Sequence, residues 1–328
     1  MKKIVSLLCC ILLLPVFACT APQNTNLPVV RLHEVTRSVF YAPQYVADAL
    51  GFFADEGICV EITTSGGSEK AMTALLAGEA DICLAGPETG VYIMNEGKSD
   101  HPVIVGQLTK RDGSFLISRT PTDSFSWDDL IGKSVIGGRS GGMPIMTLRY
   151  VMAKNGLNDG DNCTIIDSIQ FNLMAGAFEG GEGDYVTLFE PTATEFQNAG
   201  KGYIVANIGL ESGEVPYTCY FATAAGSKSE TVHAFLRAIH RAQKWIQSAS
   251  DREIAEAMQP YFPDTSLESL MIVAKSYRET DSWKTELTMG EADYLRLLDI
   301  MEFNGVLTGR PAFTELVDNA TANAAMEN

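Results

Sequence analysis

The sequence predicts an α/β fold of two similarly built lobes followed by a helical C-terminal tail. Apolar, β-rich runs alternate with helical segments through most of the 328 residues, a length with room for about two domains. In addition, the motif Gly78–Asp81 (GEAD) and an apolar run return 103 residues later as Gly181–Asp184 (GEGD). Two such units favour two related lobes, although coincidence in a glycine-rich chain is the alternative.

The N-terminus predicts export and lipid anchoring. Lys2 and Lys3 precede the apolar run Ile4–Phe17, and a small residue precedes Cys19, which is the secretory pattern. The end of this run resembles the bacterial lipobox, in which the thiol is acylated. Fourteen residues containing Pro15 are too few to span a bilayer core of about 30 Å. We therefore expect a signal peptide over 1–18, lipidation of Cys19 and a tether over 19–28; a plain cleaved signal and a retained helix are the alternatives.

The composition limits the partners. Removing residues 1–18 leaves 310 residues, and the loss of two lysines takes the formal charge from −17 to −19. An acidic surface disfavours nucleic acid and anionic lipid as partners, so we expect contact with the membrane only through the anchor. We also expect a monomer. The histidines are scattered along the sequence and the cysteines form no C-x-x-C pairs, so we expect neither a metal site nor a cofactor. The remaining cysteines are interpreted as small core residues: Cys59, Cys83, Cys163 and Cys219.

The first lobe is predicted from strand, helix, strand spacing, which implies parallel strands joined by right-handed crossovers. A proline in the first turn of the first helix is compatible with helix geometry. The predicted strands are Val29–Val35, Cys59–Thr64 and Asp81–Ala85, and the predicted helices are Pro43–Leu50, Glu69–Leu76 and Glu88–Asn95.

A second α/β series and a tail that is wholly helical from Ser229 complete the prediction. Residues 29–110 and 221–328 are assigned to lobe 1 and residues 111–220 to lobe 2, with hinge candidates at Gly106–Asp112 and Glu211–Val215. The second series has strands Ser134–Ile136, Thr164–Ile166 and Tyr185–Leu188 and helices Ile145–Asn155 and Phe171–Phe178; the tail has helices Thr231–Ser248, Arg252–Met258, Leu267–Tyr277 and Glu291–Phe303.

Polar groups after equivalent strands predict a cleft between the lobes. In open parallel sheets, ligands bind beyond the carboxyl ends of the strands, and Glu88 and Glu190 both fall there, one in each lobe. The loops Ser65–Ser68 and Gly137–Met143 each open a helix, whose free N–H groups could bind an anion or a carbonyl oxygen. The alternatives are that each glutamate caps its own helix and that each loop is an ordinary turn.

A longer series of motifs resembles the substrate-binding proteins of ABC importers for sulfonates, taurine, nitrate and thiamine-precursor pyrimidines. This family has the two-lobed periplasmic-binding-protein type II fold, and its order of motifs spans Arg31 to Phe303 here. The motifs are Phe40–Ala47 (FYAPQYVA), Gly51–Phe53 with Glu56-Gly57, Gly78–Asp81, Asp129–Lys133 (DLIGK), Gly137–Arg139 and Pro216–Thr218.

This resemblance implies a protein that captures a small molecule between its lobes and delivers it to a membrane permease with its ATPase. Carboxylates outnumber the one clear base, Arg139, and aromatic side chains are available to stack, which favours a nitrogen heterocycle such as a thiamine-precursor pyrimidine over a sulfonate, taurine or nitrate. The candidate ligand-binding residues are Phe40, Tyr41, Ser65, Gly66, Gly67, Pro87, Glu88, Thr89, Asp112, Gly138, Arg139, Gly141, Met143, Glu190, Thr192 and Tyr217.

Two other function classes compete with this interpretation. Eukaryotic relatives of the thiamine-precursor branch are enzymes that carry a lysine, a histidine and a CCCFC motif. This chain has Ala85 and Thr89 at the first two places and only Cys219 in the stretch Tyr217–Tyr220, which argues against an enzyme. A free-standing sensor or adhesin lipoprotein is the other class, and neighbouring permease and ATPase genes would argue against it.

Overall fold

The computed structural model describes residues 27–97 and 101–327 and contains two five-stranded sheets. The predicted signal peptide, Cys19 and most of the tether lie outside the described residues. The first sheet has the order β2-β1-β3-β10-β4, with β1 (Val29–Glu34), β2 (Cys59–Thr64), β3 (Ile82–Ala85), β4 (Pro102–Thr109) and β10 (Thr218–Thr223). The second has the order β7-β6-β8-β5-β9, with β5 (Ser114–Ser118), β6 (Ser134–Ile136), β7 (Thr164–Ile166), β8 (Tyr185–Phe189) and β9 (Tyr203–Asn207).

The predicted parallel pairs are confirmed, and each sheet also contains antiparallel pairs. Strand β1 runs parallel to β2 and β3, and β6 runs parallel to β7 and β8. Strand β5 is the first strand after the chain crosses from the first sheet to the second, and β10 is the first strand after it returns. Each of the two is antiparallel to both of its neighbours. Every residue of β3 and β5 is buried, so the core of each lobe lies around these inner strands.

The repeated motif has the same structural role in both lobes. The Asp81 carboxylate accepts a hydrogen bond from the Arg31 N–H at 2.8 Å, and the Asp184 carboxylate accepts one from the Ser134 N–H at 2.8 Å. Each aspartate also donates its own N–H to the carbonyl of the same partner at 2.9 Å. Because both pairs join corresponding strands in the same register, the two lobes are built alike at this point.

The helices surround the sheets, and the C-terminal ones contact both lobes. Helix α9 packs on α1 and β1, whereas α11 contacts α7 and α12 contacts α5 in the second lobe. The helices are α1 (Ala42–Ala49), α2 (Phe52–Asp55), α3 (Ser68–Leu76), α4 (Glu88–Asn95), α5 (Met143–Lys154), α6 (Met174–Glu179), α7 (Thr192–Asn198), α8 (Ile208–Ser212), α9 (Glu230–Ser248), α10 (Asp251–Met258), α11 (Leu267–Glu279), α12 (Glu291–Phe303), α13 (Phe313–Leu316) and α14 (Asn319–Met326).

The prediction of a wholly helical tail is wrong between α11 and α12. There an extended segment runs along β4: the Gln107 N–H donates to the Leu287 carbonyl at 2.7 Å, and the Lys284 N–H donates to the Leu108 carbonyl at 2.9 Å. This segment covers the edge of the first sheet, whose backbone groups would otherwise lack partners. Pairing with a distant strand carries no local sequence signal.

The two chain segments that connect the lobes lie next to each other and are hydrogen-bonded. The Val215 N–H donates to the Lys110 carbonyl at 2.9 Å, and the Tyr217 N–H donates to the Thr109 carbonyl at 3.2 Å. The hinge predicted from Gly106 starts too early, because β4 continues to Thr109. Likewise, the lobe boundary predicted after residue 220 falls inside β10, a strand of the first sheet.

The cysteines agree with their predicted role at three positions. Cys83, Cys163 and Cys219 are buried free thiols, but Cys59 is exposed, so its interpretation as a core residue is wrong. Cys59 begins β2, the edge strand of the first sheet, where most side chains face solvent. Within residues 27–97 and 101–327, none of the helices has the length and apolar character needed to cross a bilayer.

Candidate functional site

The structure brings six of the predicted site residues into contact with one another where the two lobes meet: Phe40, Tyr41, Glu88, Asp112, Met143 and Tyr217. The predicted residues that are not buried are called the rim, and two of them, Arg139 and Gly141, contact the other lobe. The buried group consists of Phe40, Tyr41, Pro87, Glu88, Thr89, Asp112, Gly138, Met143, Glu190 and Tyr217, and the rim consists of Ser65, Gly66, Gly67, Arg139, Gly141 and Thr192.

Phe40 is the centre of an aromatic cluster that joins the two lobes. Its ring centroid lies 5.8 Å from that of Phe189 in the second lobe and 5.7 Å from that of Tyr217, both in edge-to-face geometry. It also lies 5.1 Å from the ring of Tyr277 in the C-terminal tail. A Cβ at Gly113 would stand 2.6 Å from the Phe40 ring, so this close approach of a link to the ring requires glycine.

Glu88 begins α4, and its carboxyl group is buried between the lobes. The backbone N–H groups of Glu88 itself and of Met143, the first residue of α5 in the other lobe, interact with this carboxyl. One oxygen, Oε2, is buried and has no hydrogen-bond partner among the residues that the structure describes. Burial raises the pKa of Glu88 from 4.5 to about 8, against the lowering effect of the two N–H groups.

Asp112 and Tyr217 place two further unpaired atoms in the same buried region. Asp112 Oδ1 accepts hydrogen bonds from the Ser114 N–H at 2.7 Å and the Ser114 hydroxyl at 2.5 Å. Asp112 Oδ2 and the Tyr217 hydroxyl face each other without a well-formed hydrogen bond. Burial raises the pKa of Asp112 to about 6, and burial beside Asp112 and Glu88 raises the pKa of Tyr217 well above its ordinary value.

Glu190 is buried but already has partners. Its Oε2 accepts a hydrogen bond from the Thr194 N–H at 2.8 Å, and its Oε1 accepts one from the Thr194 hydroxyl at 2.8 Å. Both bonds lie in the first turn of α7, and burial raises the pKa of this carboxyl. This geometry is that of a helix cap, the alternative role considered from the sequence.

The rim connects the lobes through polar contacts. Arg139 of the second lobe forms an ion pair with Glu69 of α3 at 2.5 Å, and the Tyr92 hydroxyl of α4 donates to the Gly141 carbonyl at 2.8 Å. The single base expected in the cleft is therefore half-exposed and paired with an acid. Arg139 is engaged by Glu69, an acid that the sequence analysis did not assign to the cleft.

These groups are suited to binding. They offer buried carboxyl and phenol oxygens beside aromatic rings, the usual composition of a small-molecule site. Cys219 lies near Glu88, but burial and the Glu88 charge raise the pKa of this thiol well above its ordinary value, so it is not a thiolate nucleophile.

Four residues of the site escaped sequence analysis: Glu69, Tyr92, Phe189 and Tyr277. Phe189 directly precedes Glu190 at the end of a predicted strand, and Glu69 follows the Ser65–Ser68 loop, so position alone could have found both. Tyr92 and Tyr277 lie within ordinary helical patterns. Only tertiary contacts reveal them, such as the Tyr277 hydroxyl donating to the Gly113 carbonyl and accepting the Glu190 N–H, both at 3.1 Å.

Comparison with known proteins agrees with this architecture. The family model described as "NMT1/THI5 like" matches residues 39–252, more than half of the chain. A Bacillus subtilis (strain 168) protein named "Putative binding protein YtlA" is 38% identical over 302 residues, covering 92% of this chain and 90% of that protein.

Solved structures share the fold at lower identity. The periplasmic nitrate-binding protein NrtA from Synechocystis PCC 6803 aligns with a TM-score of 0.72 and 17% identity, covering 92% of this chain and 89% of its own. The alkanesulfonate-binding protein SsuA from Xanthomonas axonopodis pv. citri, bound to MOPS, aligns with a TM-score of 0.70 and 14% identity, and the alignment covers 88% of this chain and 98% of that protein. These relatives are named as binding proteins, not as enzymes. The chain belongs to the NMT1/THI5-like family and has the two-lobed periplasmic-binding-protein type II fold.

Proposed function

We propose that this protein is the solute-binding component of an ABC importer, which holds a small molecule between its lobes and delivers it to a permease and its ATPase. The observation that carries the proposal is a set of three buried polar atoms at the lobe junction for which the described residues provide no hydrogen bond of good geometry: Glu88 Oε2, Asp112 Oδ2 and the Tyr217 hydroxyl. Buried polar atoms normally have partners, so such a group beside an aromatic cluster is expected to bind a ligand. The family and the named relatives support the same role.

The ligand class that we propose is a nitrogen heterocycle, with a thiamine-precursor pyrimidine as an example. A carboxylate accepts hydrogen bonds from ring N–H and amino groups, and it repels an anion. Asp112 and Glu69 can supply such carboxylates, whereas buried Glu88, whose pKa is raised to about 8, is protonated at neutral pH and can both donate to and accept from a heterocycle nitrogen. Arg139 is paired with Glu69, and Phe40 and Tyr41 lie in the same region. The competing ligand is a sulfonate, taurine or nitrate. Two observations favour it: the solutes named for the solved relatives, and the helix N-termini at the junction.

Competition calorimetry on the mature protein tests the ligand class. We expect heat from an aminopyrimidine or a related heterocycle, a weak dependence on salt, and no displacement by taurine or nitrate. Micromolar binding of an alkylsulfonate, without heat from any heterocycle, would contradict the assignment and make Arg139 the main candidate contact.

Removing one hydroxyl tests the place of the site. Tyr217→Phe should weaken binding about 2- to 12-fold, since one net hydrogen bond contributes about 0.5–1.5 kcal/mol. Tyr294→Phe is the matched control, because the Tyr294 hydroxyl donates to the Pro311 carbonyl far from the junction. Equal affinities for both variants would place the ligand elsewhere.

We further propose that the protein works outside the cytoplasm as a lipid-anchored monomer, with the anchor at Cys19. The support is the charged start, apolar run and lipobox-like end of residues 1–19. Cys19→Ala should release the protein into the soluble fraction or leave it uncleaved. Failure of the wild-type protein to incorporate a labelled fatty acid would refute this part of the proposal.

A further inference from the structure

Two helix N-termini, one from each lobe, meet at the Glu88 side chain. Glu88 is the first residue of α4, and Met143 is the first residue of α5; the backbone N–H groups of both interact with the Glu88 carboxyl. Helix N-termini carry partial positive charge and free donors, so this is the point of the cleft at which an anion would be most favourable.

The Glu88 side chain already fills that point. The residue is 3% exposed, and a Cβ at Gly86 would overlap both of its carboxyl oxygens, so the side chain folds back over Gly86. Within residues 27–97 and 101–327, the buried Glu88 Oε2 has no hydrogen-bond partner. The site thus has a resident carboxyl group with one oxygen left over to meet a ligand.

We propose that Glu88 occupies the anion position of the cleft and thereby excludes nitrate, sulfate and sulfonates, so that residue 88 determines the charge of the solute. This inference rests on the proposed role of the cleft as a solute site. Protonation of the carboxyl does not open the position, because the side chain still fills it.

The other charged or titratable groups facing Glu88 do not offset its effect. Glu69 adds a like charge, and Arg139 is paired with Glu69 at 2.5 Å. Burial raises the pKa of the surrounding hydroxyl groups, so they are neutral at ordinary pH; they belong to Tyr41, Tyr92 and Tyr217. The Cys219 thiol is neutral for the same reason.

The test is a switch of specificity. Sulfate, nitrate and methanesulfonate are titrated into the wild-type protein, Glu88→Ala, Glu88→Gln and Glu69→Gln. Glu88→Ala should bind at least one anion about tenfold or more tighter than the wild-type protein, a change of about 1.4 kcal/mol. Glu69→Gln removes a carboxylate and also releases Arg139, but it leaves Glu88 in the position, and Glu88→Gln leaves the position filled. Neither variant should therefore gain as much anion binding as Glu88→Ala.

Three results would overturn the inference: anion binding by the wild-type protein that Glu88→Ala weakens, an equal gain in Glu69→Gln, or no gain in Glu88→Ala. Circular dichroism checks that the variants fold. If Glu88→Ala does not, Glu88→Ser provides the same opening. A gain in Glu88→Ala while no heterocycle binds the wild-type protein would refute the proposed ligand class and uphold the role of Glu88, so the two failures are distinguishable.

Discussion

Replacing Glu88 by glutamine should remove a large pH dependence from the free energy of unfolding. In the folded protein, burial raises the pKa of Glu88 from 4.5 to about 8. Below pH 4.5 the carboxyl is protonated in both states. Between pH 4.5 and about 8 the folded state keeps a proton that the unfolded state has lost, so stability falls as the pH rises.

The size of this effect follows from the same two values. The interval from 4.5 to about 8 corresponds to a loss of about 5 kcal/mol, which is an upper limit because opening of the lobes lets water reach the carboxyl. Glutamine has a shape similar to that of glutamate, but its side chain does not titrate. The difference between the variant and the wild-type protein should therefore already be about 1 kcal/mol at pH 5 and should increase up to about pH 8.

Urea unfolding of both proteins at intervals from pH 5 to pH 9 measures the difference. Asp112, Glu34 and Glu190, whose pKa values are also raised by burial, are present in both proteins, so their contributions cancel. Asp81→Asn is the control, because the hydrogen bonds and ion pair with Arg31 lower the pKa of Asp81, so its stabilisation is already complete above pH 5 and this variant should be less stable than the wild-type protein by a constant amount across the range. Parallel profiles for Glu88→Gln and the wild-type protein would refute the argument.

Three further predictions concern single side chains. Gly86→Ala should displace the Glu88 carboxyl and cost about 1–3 kcal/mol by calorimetry, whereas Gly176→Ala, with open space around its added Cβ, should not destabilise. Glu190→Gln should lower the melting temperature and change ligand affinity less than twofold, since the carboxylate caps α7; a large affinity loss at unchanged melting temperature would contradict this. In the folded mature protein, a thiol reagent should label Cys59 much faster than the buried cysteines, and equal rates would contradict its exposure.

The sequence by itself determined most of the secondary structure and the doubling of the lobes. Strand β2 and helix α4 have the predicted bounds, because apolar periodicity and glycine turns are local signals. The repeated motif was also a local signal, since each aspartate follows its turn directly and pairs with the neighbouring strand at a fixed distance along the chain. The resemblance to binding proteins extended this to the fold class.

Only the tertiary structure decided which polar groups at the lobe junction are free. Glu88 and Glu190 look equivalent in the sequence, but Thr194 donates to both oxygens of Glu190, whereas one oxygen of Glu88 has no partner in the described part of the chain. Arg139, the expected base of the cleft, is neutralised by Glu69, which lies 70 residues earlier in the chain. The aromatic cluster likewise depends on Tyr277 from the distant tail. Such pairings depend on how the lobes and the tail pack together, and they cannot be predicted from patterns of neighbouring residues.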